Sequence, residues 1–154
     1  MELYTMAGHL IRRLHQRSTQ VFQARAQEAG IDLTQVQFAA MEVLCDHEGI
    51  DQARIAALIA YDRATIGGVI DRLEKKGYLR RVVSRQDRRA REVSLTPEGR
   101  AILDRLRPTV VALQDEILAD LTPPERAALL ALMGKALHIP DPAGPAAEGR
   151  EGSA

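Results

Sequence analysis

Apolar side chains recur at helical spacing along most of the chain and give way to alternation only in one short central stretch. Met6, Leu10, Leu14, Val21 and Phe22 predict a first helix over residues 4–29, stopped by Gly30. Thr34 and Gln37 form a capping-box pair, so a second helix starts there and carries Phe38, Met41, Val43 and Leu44 as far as Gly49. Asp51 reads as the cap of a short third helix with Ile55, Leu58 and Ile59. After the turn at Ala60 and Tyr61, Asp62 reads as the cap of a fourth helix over 63–76, closed by Gly77. Two short helices joined by so tight a turn form a candidate helix-turn-helix.

The alternating stretch follows. Valine-rich segments 79–84 and 91–95 flank the polar loop 85–90 and predict a β-hairpin. Thr96 then caps a fifth helix with Pro97 at its first position, and Pro108 inside that helix is expected to kink it. Thr122, Pro123, Pro124 and Glu125 repeat the start signal for a sixth helix carrying Leu129, Leu130, Leu132, Met133 and Leu137. Residues 139–154, rich in Pro, Ala, Gly and charge, predict a disordered tail. The fold class is mainly α with one small β-hairpin.

Composition narrows this picture. With three Tyr, two Phe and no Trp among 154 residues, the core must be aliphatic, which suits packed helices. The single cysteine, Cys45, forms no intramolecular disulfide, and neither a leader nor a membrane span is apparent, so a cytoplasmic protein without membrane partners is expected. No glycine-rich phosphate loop and no metalloprotease motif is present, and His9, His15, His47 and His138 are scattered. The pattern therefore predicts no enzyme, no cofactor and no metal.

Charge changes the picture most. The whole chain is formally neutral, yet residues 63–95 hold ten Lys or Arg against four acids, a local +6 balanced elsewhere. Phosphate affinity follows the local patch rather than the total. A helix-turn-helix presents the start of its second helix to the major groove. Here that start is Arg63, Ala64, Thr65, Gly67 and Gly68, with Arg72 one turn on. Arginine reads guanine or phosphate, and threonine bonds a base edge or packs on a thymine methyl. Each glycine inside a helix costs about 1 kcal/mol relative to alanine. The pair at 67 and 68 therefore reflects either close helix packing or close approach of backbone to DNA. In the hairpin loop, Arg85, Arg88 and Arg89 form a tip suited to a narrow minor groove, with Asp87 placed to orient Arg89. The plain alternative is a solvated charged loop.

The residues Asp62–Arg63–Ala64–Thr65, the run from Asp71 through Arg72, Leu73, Glu74, Lys75, Lys76 and Gly77 to Arg81, the Asp87–Arg88–Arg89–Ala90 stretch, and Val93 through Gly99 resemble the signature of the MarR family of bacterial regulators. The resemblance spans about residues 4–138. It implies one domain over 1–138, with a winged helix-turn-helix lobe over 34–95 and dimerisation helices over 4–29 and 97–138. It also implies a homodimer on a pseudo-palindromic site of double-stranded DNA, a repressor released by ligand, and insertion of Arg89 into the minor groove. Gly67 and Gly68 depart from the family's usual Ser/Thr/Arg-like pattern, which leaves direct base contacts at those two positions open. The apolar faces of the first, fifth and sixth helices exceed what one lobe can cover, which independently predicts a dimer.

The family commonly answers small anionic aromatics or oxidants. His9 lies four residues from Arg13 and three from Arg12, so these share a helix face. Arg13 sits between Leu10 and Leu14, a side expected to be partly buried, where a cation needs a partner. That partner is either an acid elsewhere in the dimer or the carboxylate of a small aromatic effector. Cys45, beside Val43 and Leu44 and with no cation pattern around it, reads as a small core residue. The alternatives are a redox-responsive regulator acting through Cys45, and a winged helix that binds something other than DNA.

Overall fold

The computed structural model describes residues 2–84 and 91–139. A short 3-10 turn, Leu3–Thr5, precedes α1 (Ala7–Glu28). Then follow α2 (Gln35–Asp46), α3 (Gln52–Leu58), α4 (Ile66–Lys75), β1 (Leu79–Val83), β2 (Arg91–Leu95), α5 (Pro97–Ile117) and α6 (Pro123–Ala136). The mainly helical class with a two-stranded wing is as the pattern predicts. The described residues up to Ile117 form one compact unit and the described residues from Leu118 a second. Among the described residues, no helix is long and apolar enough to cross a membrane.

Local chemistry sets the boundaries. Thr34 Oγ1 accepts from the Gln37 amide at 3.2 Å while Gln37 Oε1 accepts from the Thr34 amide at 3.1 Å, the predicted reciprocal cap of α2. Asp51 Oδ1 caps α3 by accepting from Arg54 N at 2.8 Å. The start of α4 differs from the expectation. Residues 63–65 form a turn, and the helix begins only at Ile66. It is the backbone carbonyl of Asp62, not its carboxylate, that accepts from Thr65 N, Thr65 Oγ1 and Ile66 N. The carbonyl closes the first turns, so the side chain is not needed as a cap. The first helix also starts later than expected, at Ala7, because Leu3–Thr5 turns more tightly. The fifth helix runs unbroken through Pro108.

Two glycines are obligatory for different reasons. Gly77 takes φ +77° just past α4, where an L side chain is strained. At Gly99 in the first turn of α5, a Cβ would lie 2.1 Å from the Tyr78 carbonyl oxygen. Thr96 fixes that junction: its hydroxyl donates to Gly77 O at 2.6 Å and accepts from Gly99 N at 3.0 Å.

The strands pair antiparallel with Leu79 opposite Leu95 and Arg81 opposite Val93. Ile50 adds a single bridge to Val93, giving the wing a third edge that the hydrophobic pattern did not signal. Leu44, Ile55, Ile66, Ile70, Leu73, Leu79, Val93 and Leu95 are buried, and this core holds α2, α3, α4 and the hairpin together. Burying each such side chain contributes about 1.5–3 kcal/mol. The bidentate fork of Arg25 on Glu116, at 2.7 and 2.8 Å, ties α1 to α5.

Candidate nucleic-acid interface

Arg63, Ala64 and Thr65 are exposed in the turn that leads into α4. Gly67 and Gly68 follow in its first turn, half-buried, and Arg72 is exposed one turn later. A Cβ at Gly67 would meet only the Gln52 carboxamide, at 3.7 Å or more, and at Gly68 only the Arg72 guanidinium, at 3.4 Å. Neither glycine is demanded by packing within the described residues. Of the two expectations for this pair, close helix packing finds no contact here to require it. The Gln52 side chain, at the first position of α3, lies beside Gly67; sequence patterning did not single it out, because only the crossing of α3 and α4 brings it there.

Six cations from the basic segment fall into two groups. Arg63, Arg72, Lys75 and Arg80 are exposed and have no ion-pair partner among the described residues. Lys76 instead donates to the backbone carbonyl of Asp32 at 2.5 Å and to its carboxylate at 2.7 Å. Arg81 pairs with Asp71 and Glu74. Raw charge counting along the chain does not separate these groups. Arg85, Asp87, Arg88 and Arg89 lie outside the described residues, between the ends of β1 and β2.

At the other end of the same unit, His9, Arg12 and Arg13 come together at the start of α1. Arg12 Nη2 is 3.5 Å from His9 Nδ1, the Arg13 guanidinium lies 5.6 Å from the centre of the Tyr4 ring, and Tyr4 meets the His9 ring edge-on. His9 Nε2 is shielded from solvent and has no hydrogen-bond partner among the described residues. Arg13 is exposed rather than partly buried, because Leu10 beside it is itself 48% exposed in the single chain.

A separate cavity of about 380 Å³ opens between α1, α2, α3 and α5. Phe22, Phe38 and Leu113 supply apolar walls, and Gln35, Glu42 and Gln114 supply polar ones. His9, Arg12 and Arg13 do not line it. Arg13 precedes Phe22 by nine residues on one helix, about 13 Å at 1.5 Å per residue, so a single small acid cannot occupy both places. The Glu42 carboxylate accepts from Arg107 Nε at 3.2 Å and, as the main cause, raises the Arg107 pKa above the ordinary arginine value.

Arg107 also corrects the expectation for Cys45. The thiol is half-buried near the end of α2, and Arg107 Nη2 lies 3.1 Å from its sulfur. A cation is at hand after all, but it comes from α5, sixty-two residues away, where no local pattern reveals it.

Comparison with known proteins agrees with this geometry. The sequence profile of the MarR family matches residues 31–90. The HTH-type transcriptional repressor NicR of Pseudomonas putida is 34% identical over 137 residues, covering 89% of this chain and 85% of that protein. BpsR of Bordetella bronchiseptica, whose DNA binding is regulated by 6-hydroxynicotinic acid, superposes with a TM-score of 0.80 at 31% identity, covering 89% of this chain and 96% of that one. The transcriptional repressor CouR, solved on a 23-mer DNA duplex, gives a TM-score of 0.77 at 29% identity, covering 88% and 95%. Family and fold agree with the free cations of the helix-turn-helix lobe: this chain belongs to the MarR family and is a DNA-binding transcriptional regulator.

Proposed function

We propose that the protein is a homodimeric repressor that binds a pseudo-palindromic operator and is released from it by a small aromatic carboxylate. The α3–α4 pair enters the major groove, where Arg63, Thr65 and Arg72 meet bases and phosphates. Gly67 and Gly68 leave bare helix backbone there, and the side chains of Gln52 and Arg72 flank it. The wing tip, with Arg85, Arg88 and Arg89 and with Asp87 orienting Arg89, enters the adjacent minor groove. Dimerisation rests on the apolar side chains left exposed at both ends of the described chain, Leu10 and Ile11 at one and Leu130, Leu132 and Leu137 at the other.

The observation that carries the effector reading is the unsatisfied His9 Nε2, with Arg12 at the other ring nitrogen and Arg13 over the adjoining Tyr4 ring. A buried polar atom without a partner costs about 1–3 kcal/mol. A carboxylate satisfies it while pairing with Arg12 and Arg13, and the exposed Tyr4 ring offers the aromatic part a platform. The effector that regulates BpsR, 6-hydroxynicotinic acid, has this chemistry. The cavity between Phe22 and Phe38 supports a second placement, in which its apolar walls take the ring. Among its lining residues, however, the only charged one is Glu42, which would repel a carboxylate were it not already held by Arg107.

Calorimetric titration of 6-hydroxynicotinic acid and benzoate into wild type, His9→Ala, Arg13→Ala and Phe38→Ala decides between the two. Loss of binding in the first two variants supports the α1 cluster. Loss in Phe38→Ala alone moves the effector to the cavity. No binding of either acid to wild type overturns the effector class. Release requires that the acid prefer a lobe spacing that mismatches the operator, because equal affinity for both states shifts nothing.

A further inference from the structure

We propose that Arg81 is a positioning residue that locks the wing to the recognition helix, and that it makes no phosphate contact of its own. Three observations carry this. Strand alternation puts Arg81 on the same face of the hairpin as buried Leu79, opposite buried Val93, whereas Arg80 points to the other face and is exposed. On α4, Asp71 and Glu74 are three residues apart and so share one helix face. The Arg81 guanidinium spans both: Nη2 bonds Asp71, Nε lies 3.2 Å from Glu74 Oε2, and Glu74 Oε1 also accepts from the Arg81 amide at 3.3 Å.

The side chain is only 20% exposed, against 56% and 42% for its two acids. Its charge is spent inside the lobe. Two acids on one basic residue leave none of that positive charge for DNA, so Arg81 drops out of the basic patch that the charge count over residues 63–95 suggests.

The consequence is mechanical. A two-stranded hairpin is marginally stable by itself, and its tip must reach one groove while α4 occupies the next. Hydrophobic contacts at Leu79, Val93 and Leu95 hold the base of the wing but are not directional, and the backbone bridge from Ile50 to Val93 ties it to the segment before α3 rather than to the face of α4. A guanidinium hydrogen-bonded through Nη2 to Asp71, with Glu74 accepting from the Arg81 amide and within ion-pair reach of Nε, is directional. Arg81 therefore sets the angle between α4 and the wing, and the two approach DNA as one body.

This role presupposes that α4 and the wing meet DNA, so the test separates the two ideas. Duplexes are first selected by the wild-type protein from a randomised library. Binding to a selected duplex and to a scrambled one is then measured against salt. Arg81→Ala is expected to lose about tenfold or more on the selected duplex, with a much smaller loss on the scrambled duplex and the slope of log affinity on log salt unchanged. Arg80→Ala, in contrast, is expected to weaken both and to lower the slope by about 1, as for a lost phosphate contact. The double variant Asp71→Asn, Glu74→Gln frees Arg81. It is expected to bind the selected duplex more weakly and the scrambled duplex more tightly.

Equal weakening of both duplexes by Arg81→Ala, with a reduced slope, makes Arg81 a phosphate contact and overturns the proposal. Unchanged binding to both overturns it as well. If Arg80→Ala and Arg72→Ala leave all binding intact, the interface itself is misassigned. Hydrogen exchange at the Val82 and Val83 amides then still tests the lock, which predicts faster exchange in Arg81→Ala.

Discussion

The helix-turn-helix lobe and the two ends of the described chain are all rich in leucine and isoleucine, and they use them in opposite ways. In the lobe, Ile55, Ile66, Ile70 and Leu73 are fully buried. In α6 no residue is buried, and Leu130, Leu132 and Leu137 are each at least 60% exposed; at the start of α1, Leu10 and Ile11 are exposed too. Hydrophobic burial within one chain thus completes the helix-turn-helix lobe and leaves the ends of the described chain unfinished. Stability of the lobe is a property of the chain, whereas stability of the ends is tied to what covers them, which in our proposal is a second copy.

The largest expected effect tests that contrast directly. Leu73→Ala should destabilise the protein by about 2–5 kcal/mol, the range for deleting a buried leucine, by the same amount at every protein concentration. Leu132→Ala should leave the lobe intact and instead raise the concentration at which sedimentation equilibrium shows dissociation. Equal, concentration-independent losses from both variants would erase the distinction between the regions.

Gly99→Ala probes the seam where the lobe passes into α5. The new Cβ would meet the Tyr78 carbonyl oxygen at 2.1 Å, and backbone must move to admit it. A loss of about 1–3 kcal/mol is expected in denaturant unfolding, comparable to overpacking a core. Wild-type stability in this variant would mean that the seam yields freely and that the lobe is less self-contained than its burial suggests.

In the segment between β1 and β2, Arg89→Ala should weaken operator binding by about tenfold or more, near the 1–3 kcal/mol of a groove contact, with an unchanged unfolding midpoint. A gel-shift titration beside a thermal melt checks both halves. A lowered melting point with intact binding would make Arg89 a structural residue.

The sequence made the lobe legible because its signals are local. The Thr34–Gln37 cap, Gly77 past α4 and the valine alternation each depend on residues a few positions apart, and each appears where the pattern puts it. The cap of α4 differs from the pattern because Asp62 acts through its carbonyl, and a carbonyl leaves no mark in residue identity. What stayed hidden joins residues far apart in the chain: Arg107 against Cys45, Ile50 against Val93, Arg25 against Glu116. The charge patch was visible as a total, but its division into free and paired cations was not, because Arg81 and Lys76 find their acids only once the helices are packed.

A smaller effect concerns the α1–α5 tie. The Arg25 guanidinium holds the Glu116 carboxyl below its usual range, and Glu116 in turn raises Arg25 above the ordinary arginine value. A carboxylate whose pKa is depressed by folding stabilises the fold above its unfolded value, and that contribution is lost as pH falls through the depressed folded value. Arg25 stays charged throughout this window. Wild type should therefore exceed Glu116→Gln in urea midpoint at neutral pH, and the two should converge as pH drops below the ordinary glutamate value of 4.5. Both side chains are 40% exposed, so the gap should be small and should shrink with salt. A gap that persists in strong acid would mean that Glu116 acts through packing, not charge.

The smallest expected effect lies in the turn of the helix-turn-helix. Ala60 follows the C-terminus of α3 at φ +52°, in the left-handed region that favours glycine. The turn is held around it: Tyr61 N donates to Ala56 O at 2.9 Å, and Ala60 N to Ala57 O at 3.4 Å. This hydrogen-bond pair closes a helix end that most sequences would finish with glycine. Ala60→Gly removes the strained Cβ but widens the conformational freedom of the unfolded chain, so the two terms oppose. At positive φ the strain term is the larger, and a net gain of about 0.5–1 kcal/mol is expected. Because Ala60 is exposed and α3 and α4 keep their contacts, operator affinity should not change. A thermal melt together with a gel shift checks both. Weaker DNA binding in a more stable protein would show that the turn's stiffness, and not only its geometry, holds α4 in the orientation that reads DNA.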